Sequence, residues 1–241
     1  MKYTDKIALV TGANSGIGEA IAHRLASLGC KVYVNGRRES ENQRVVDAIN
    51  ARYPARAIAL TGDVAGEATC LSMIKQLASE QDRLDILVNN AGVFGSRDRI
   101  VDSSSENFEK VLKTNLFSCY WLSRAAFRWM EKQSPSEDTQ LRGAIINIAS
   151  ILGVEAWANA GTYAASKHGM MGLTRAMADE GESAGIRVSA VCPAMVATPM
   201  TGMEGTDYIQ PEDIAATVTH LLELSPAAWP TEFVIPRRGS D

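Results

Sequence analysis

From Ile7 to Ile235 the chain alternates short apolar runs with longer segments whose apolar residues recur at helical spacing. That alternation limits the possible folds more than any other feature of the sequence. Strands that read as continuous apolar runs must be covered on both faces, and helices between them supply the cover. The pattern therefore predicts a parallel sheet built from βαβ units. Seven runs have strand length: Ile7 to Thr11, Lys31 to Asn35, Ala57 to Thr61, Asp85 to Asn89, Ala144 to Ala149, Arg187 to Cys192 and Glu232 to Ile235. The expected class is α/β, a doubly wound sheet of seven parallel strands flanked by helices on both faces. At 241 residues such a sheet forms one domain over 1–241, with no repeat or linker to divide it. The polar stretch Gln133 to Gln140 reads as a surface loop.

In open α/β sheets ligands bind beyond the carboxyl ends of the strands, so those ends carry the functional information. The first strand runs into TGANSGIG, with Gly12, Gly16 and Gly18. A helix with apolar Ile17, Ile21, Leu25 and Leu28 follows, and Gly29 ends it. A glycine turn between a first strand and a helix N-terminus places backbone N–H groups and the positive end of the helix dipole where a diphosphate can sit. Rossmann-type sheets carry a phosphate-cradling turn at this place, but the spacing here differs from their usual glycine fingerprint, and a tight turn that simply needs glycine is the alternative. The run lacks a Gly-Lys-Ser/Thr ending, so it is not a Walker phosphate loop. After the second strand come Asn35, Gly36, Arg37 and Arg38, ahead of a helix from Ser40 to Asn50. No carboxylate stands there for an adenosine ribose, and a planar guanidinium can grip a 2′-phosphate. The expectation is NADP(H) rather than NAD(H), carried by Arg37; Arg38 reads equally well as a solvated turn residue. Asp63 follows the third strand, and Asn89, Asn90, Ala91 and Gly92 follow the fourth.

Charge and cysteine usage remove other classes. A net charge of -4 leaves no basic excess for coating nucleic acid. The first residues, MKYTDKIALVTG, hold charges at Lys2, Asp5 and Lys6 around a short apolar run. They resemble neither a secretory signal nor a membrane span, and the expected compartment is the cytoplasm. Cys30, Cys70, Cys119 and Cys192, like His23, His168 and His220, are scattered without zinc-like spacing. No metal site is expected, and the thiols are expected to be reduced.

The stretch from Ser150 to Lys167 holds a hydroxyl, a phenol and an amine. If the segment after Thr162 is helical, Tyr163 and Lys167 stand four apart on one face, where an ammonium lowers the cost of ionising a phenol. TGANSGIG after the first strand, NNAG after the fourth, Asn115 in the long helix from about Ser104 to Lys132, and Ser150 ahead of Tyr163-Ala-Ala-Ser-Lys167 together resemble the short-chain dehydrogenase/reductase family. The resemblance spans nearly the whole chain. It implies a catalytic set of Asn115, Ser150, Tyr163 and Lys167 that moves a hydride between a nicotinamide and a carbonyl or alcohol carbon. Tyr163 would exchange the proton, and Ser150 would hold the substrate oxygen. Lys167 would favour the tyrosinate and hold the cofactor ribose, while Asn115 would anchor a water. The same resemblance assigns Gly12, Asn14, Ile17 and Gly18 to the diphosphate turn and Asp63 and Val64 to the adenine pocket. Asn90 would serve the cofactor and the central sheet, and Pro193 and Thr198 the nicotinamide segment.

The chain departs from the family pattern in Pro193-Ala194 where Pro-Gly is common, in Ser15 where a basic residue accompanies NADP, and in lacking an acidic-glycine tail. Thr198 to Gln210, with Gly202 and Gly205, reads as a short substrate lid. Phe94, Ile151, Leu152, Trp157, Met200, Met203 and Tyr208 predict a moderately apolar carbonyl or secondary alcohol substrate. Arg97 and Arg99 either meet an anionic substrate tail or face water. Helix faces around Phe117, Trp121 and Trp129, and around Met170, Leu173 and Met177, are apolar beyond one stripe and predict a dimer or a homotetramer. Two alternatives remain at this stage. One is a 3-oxoacyl thioester reductase, disfavoured by Glu204 and Asp207 in the lid; the other is a non-catalytic cofactor-sensing protein.

Overall fold

The computed structural model describes residues 3–137 and 139–239; Met1, Lys2, Asp138, Ser240 and Asp241, with the readings that fell on them, lie outside the described residues. Its strands are β1 (Ile7–Val10), β2 (Lys31–Gly36), β3 (Ala57–Thr61), β4 (Ile86–Asn89), β5 (Gly143–Ile148), β6 (Ile186–Pro193) and β7 (Glu232–Ile235). They form one sheet in the order β3-β2-β1-β4-β5-β6-β7, and every pairing is parallel. This is the doubly wound seven-stranded architecture expected. The chain reverses its direction of travel across the sheet between β1 and β4, which opens a crevice at their carboxyl ends.

The strand pleat sorts the core into two layers. Ala8 and Val10 of β1 pack with helices α1 (Gly16–Ser27), α2 (Glu39–Arg52) and α7 (Pro211–Glu223) on one face. Ile7 and Leu9 pack with α3 (Glu67–Glu80), α5 (Ser118–Met130) and α6 (Gly161–Ala184) on the other. All four side chains are essentially removed from water, as a strand buried on both faces requires.

Three local expectations need correction. The stretch from Ser104 to Lys132 is not one α-helix: α4 (Ser105–Leu112) and α5 are joined by a π-helical turn over Lys113–Phe117 that contains Asn115. Gln133 is not on a surface loop. It is buried, its amide oxygen accepting from Leu84 N–H at 2.7 Å and its amide nitrogen Nε2 donating to the Arg142 carbonyl at 2.7 Å. Asp85 lies just before β4, where its carboxylate accepts from Ile7 N–H at 2.9 Å and meets Lys6 at 3.2 Å and Arg83 at 2.8 Å. Among the described residues no helix is long and apolar enough to cross a membrane, and the four cysteines are buried and unpaired.

Candidate active site

The glycine turn is built by three strands at once. The Thr11 hydroxyl, just beyond β1, donates to the Val88 carbonyl at 3.3 Å and accepts from the N–H groups of Asn90 and Ala91, both at 3.0 Å. Asn90 donates to the carbonyls of Thr11 and Gly12 at 2.9 and 3.1 Å, and Ala13 N–H donates to Asn35 of β2 at 2.8 Å. This close approach leaves no room for side chains. A Cβ on Gly12, whose φ is +60°, would stand 2.8 Å from the Ala91 Cα, and Gly18 is pressed against the Gly12 carbonyl and the Asn90 amide. Ser15 precedes α1 in extended conformation, and its hydroxyl makes no capping bond, so the first-turn N–H groups are left for another acceptor. A diphosphate fits that cradle. Arg44 of α2 braces it, holding Glu19 through two contacts at 2.8 and 2.9 Å and donating to the Asn14 carbonyl at 3.0 Å.

At the end of β2, Asn35 is a structural residue: buried, it donates to the carbonyls of Leu60 and Gly62. Arg37 and Arg38 follow on the cavity wall, exposed, and their guanidinium groups have no hydrogen bond or ion pair among the described residues. Asp63 turns the chain after β3 by accepting from Ala65 N–H at 3.0 Å, and Val64 beside it is buried.

The proton-transfer cluster assembles where β5 meets α6. Ser150, extended, caps a short 3-10 turn over Ile151–Gly153 by accepting from Leu152 N–H at 3.1 Å. Its hydroxyl is also the group that draws the Tyr163 pKa downward, against the rise that burial causes. Tyr163 and Lys167 share one face of α6, with the ammonium 5.7 Å from the phenol ring centroid, and Lys167 Nζ donates to the Ile148 carbonyl at 2.7 Å. Both are buried. Burial disfavours the charged form of each: the Lys167 pKa falls to about 8, and that of Tyr163 rises to about 12, the Ser150 hydroxyl working against the rise. In the protein alone, then, desolvation outweighs the lowering of the Tyr163 pKa expected from its lysine neighbour, and the phenol keeps its proton.

Asn115 does not face the cavity. Its side chain accepts from Val93 N–H at 2.8 Å and donates to the Val93 carbonyl at 2.9 Å and to Ser166 Oγ at 3.0 Å. Ser166 Oγ in turn donates to the Tyr163 carbonyl at 2.7 Å. The side chain thus locks the segment after β4 to α6 at the turn that carries Tyr163. The π-turn around it is the local distortion that π-turns often mark at functional sites.

Pro193 ends β6 in register with Ile235. Thr198 lies against the glycine turn, where a Cβ on Gly16 would stand 3.2 Å from its methyl group, and Thr201 Oγ1 ties the loop to the Val196 carbonyl at 2.7 Å. The foot of the Thr198 to Gln210 segment is pinned by Ala197 N–H to Ile209 at 2.8 Å and Ile209 N–H to Met195 at 3.2 Å. Its far part holds Gly202 and Gly205 at positive φ.

A cavity of about 330 Å³ runs along these strand ends. Gly12, Asn14, Ile17, Arg37, Asp63, Val64, Asn90, Ser150, Tyr163, Lys167, Pro193 and Thr198 line it; Gly18 and Asn115 sit behind the wall. Of the apolar residues read as substrate wall, Phe94, Ile151, Leu152, Trp157 and Met200 line it, whereas Met203 and Tyr208 do not. Phe94 stacks on Tyr163 with centroids 4.7 Å apart. Sequence reasoning missed Thr11, Arg44 and Thr201, and also Thr114, which lines the cavity. Thr11 ends a strand, where a hydroxyl can staple two chains, but nothing local marked Arg44 as reaching the glycine turn.

A sequence pattern for the short chain dehydrogenase family matches residues 6–208. A 3-oxoacyl-[acyl-carrier-protein] reductase of Synechocystis is 34% identical over 239 residues, covering 95% of this chain and 93% of that one. A 3beta-hydroxysteroid dehydrogenase of Mediterraneibacter gnavus is 32% identical over 206 residues, 86% of this chain and 71% of the other. Among solved structures, a metagenomic short-chain oxidoreductase in complex with NADP superposes with a TM-score of 0.86 at 30% identity, covering 98% of this chain and 99% of that chain. With the glycine cradle, the Ser-Tyr-Lys cluster and a match over most of its length, the chain belongs to the short-chain dehydrogenase/reductase family of nicotinamide-dependent oxidoreductases.

Proposed function

We propose that this protein is an NADP(H)-dependent carbonyl reductase or alcohol dehydrogenase acting on a moderately apolar carbonyl or secondary alcohol, with Tyr163 as general acid/base. The observation that carries the reading is the Tyr163 phenol, with the Lys167 ammonium 5.7 Å from its ring centroid and Ser150 on the same wall, in the cavity that also holds the glycine cradle. The bound nicotinamide supplies or receives the hydride. In the reducing direction the Tyr163 hydroxyl passes its proton to the substrate oxygen, which Ser150 Oγ holds by a hydrogen bond. Lys167 then faces the tyrosinate left behind and stabilises it. A phenol that keeps its proton through neutral pH is suited to start as the acid. Asn115 acts through Ser166 and Val93 as a positioning residue.

The cofactor-binding set in this reading is Gly12, Asn14, Ile17, Gly18, Arg37, Asp63, Val64, Asn90, Pro193 and Thr198, with Tyr163 and Lys167 at the ribose. Arg37 selects the 2′-phosphate; its guanidinium has no other partner among the described residues, and the NADP complex of the structural relative agrees with that choice. The chain acts as a single domain with a short lid over 198–210, in the cytoplasm, as a dimer or tetramer.

A second reading, reduction of a 3-oxoacyl thioester, is favoured by the name of the Synechocystis relative. Glu204 and Asp207, exposed in the lid, would repel an acidic carrier and weigh against it. The test is NADPH oxidation over a panel of aldehydes, ketones and 3-oxoacyl thioesters. Turnover of simple carbonyl compounds supports the leading reading, turnover of thioesters alone supports the second, and stoichiometric NADPH binding with no turnover at all returns the chain to the non-catalytic class.

A further inference from the structure

The wall of the cavity beside Tyr163 is apolar, formed by Phe94, Ile151, Leu152, Trp157 and Met200, and one full charge stands on it in the open: the guanidinium of Arg97. Its Cζ lies over the Phe94 ring, 5.0 Å from the centroid, and Phe94 stacks on Tyr163 at 4.7 Å with the planes 21° apart. The cation is therefore one aromatic ring removed from the phenol. A cation–π contact of this kind holds the charge over the ring while its N–H donors stay available to a partner. None is present among the described residues. Arg97 has no ion pair among the described residues, although Asp98 is its neighbour in sequence, while Arg99 two residues on faces Asp102 at 3.8 Å. Among the described residues, Asp63 just past β3 is the only carboxylate lining the cavity, three strands away from β4 across β2 and β1.

An exposed arginine without a partner is usually only solvated. Arg97 differs because an aromatic ring holds it on the wall of the site, and the nearest acid in sequence leaves it unpaired. We infer that Arg97 is a specificity-determining residue that recognises a carboxylate on the substrate, so that the preferred substrates are apolar carbonyl compounds carrying a carboxylate away from the reacting carbon. This rests on the carbonyl-reductase reading and names the substrate class for the same site. Phe94, Trp157 and Met200 would cover the apolar body, Ser150 and Tyr163 the carbonyl oxygen, and the edge of Arg97 the carboxylate through paired N–H donors.

The probe pair is 4-formylbenzoate and its methyl ester, which share the aldehyde and the ring and differ in the charge. With NADPH, the wild type is expected to favour the acid in kcat/KM by about tenfold, the equivalent of ~1.4 kcal/mol. Arg97→Gln should bring the acid-to-ester ratio to about one, and Arg97→Lys, which keeps the charge but loses the fork, should retain part of the preference. Calorimetric titration of the two compounds into the NADP+-loaded protein reads the same contrast without turnover. If neither compound is reduced, the carbonyl-reductase reading fails, and the titration alone decides whether Arg97 holds the carboxylate. An acid-to-ester ratio that Arg97→Gln leaves unchanged, in kinetics or in binding, overturns the inference. So does a wild type that prefers the ester.

Discussion

Lys167 shows chemistry and stability pulling against each other within one side chain. Burial lowers its pKa from 10.5 to about 8, so below pH 8 the folded chain carries the cost of a buried ammonium. Between those two values the unfolded chain still binds the proton that the folded chain has shed, and the lysine's contribution to stability rises with pH. Lys167→Met should therefore unfold at or above the wild-type temperature at pH 7, and the wild type should gain on it by pH 10. A thermal-unfolding gap that does not change between those pH values would remove the buried charge from the account. The proposed cofactor choice also rests on a single residue. Arg37→Ala should lower the ratio of NADPH to NADH affinity by about tenfold or more, the scale of a charged hydrogen bond. An unchanged ratio in fluorescence titration would exclude Arg37 from phosphate recognition. The spacing of Tyr163 and Lys167 was legible in the sequence because a helix converts four residues into one face. The carbonyl that receives Lys167 was not, since Ile148 reaches it from a strand 19 residues away.

The elements between β4 and β5 show where periodicity misleads. The apolar pattern continues through the π-turn at Lys113–Phe117, so a reading by period alone joins α4 and α5 into one helix. What breaks it is a long-range interaction, the grip of Asn115 on the Val93 backbone. Asn115→Ala would leave the Val93 N–H and carbonyl without that partner, at a cost of about 2 kcal/mol. For a chain of this size that is a fall of about 4–8 °C in Tm. Calorimetry is the check, and an unchanged Tm would show that the turn forms without the side chain. The strands, by contrast, were legible to within about a residue at each end. A run of apolar residues buried on both faces has few other ways to be satisfied, and turn residues bound it on either side. Gln133 went the other way: a polar residue in a polar stretch gave no sign that its amide bridges two segments of the core.

On the scale of the whole molecule, the sheet order brings into one crevice residues from Gly12 to Thr198. The candidate site was legible because motifs at strand ends converge in any sheet of this kind, whatever loops join them. Assembly between chains is a proposal that exposed apolar side chains support. Phe117 and Tyr120 are each about two-fifths exposed, Phe117 packs edge-on against Trp121, and Phe233 and Val234 stand open on the edge strand β7. Met170, read as part of a second contact face, is buried within its own chain instead. Light scattering should give a dimer or tetramer of the 26.0 kDa chain, and Trp121→Glu should shift the population toward smaller species. A wild type that is monomeric at micromolar concentration would contradict the assembly. The account as a whole rests on one phenol completing a site built by the entire sheet. Its most direct test is carbonyl-dependent NADPH oxidation by Tyr163→Phe beside a titration of NADPH into the same variant. The expected result is a loss of kcat of at least about a hundredfold with cofactor affinity within about threefold of wild type, a window set by the ordinary scatter of single-contact effects. Undiminished turnover in that variant would contradict the central claim.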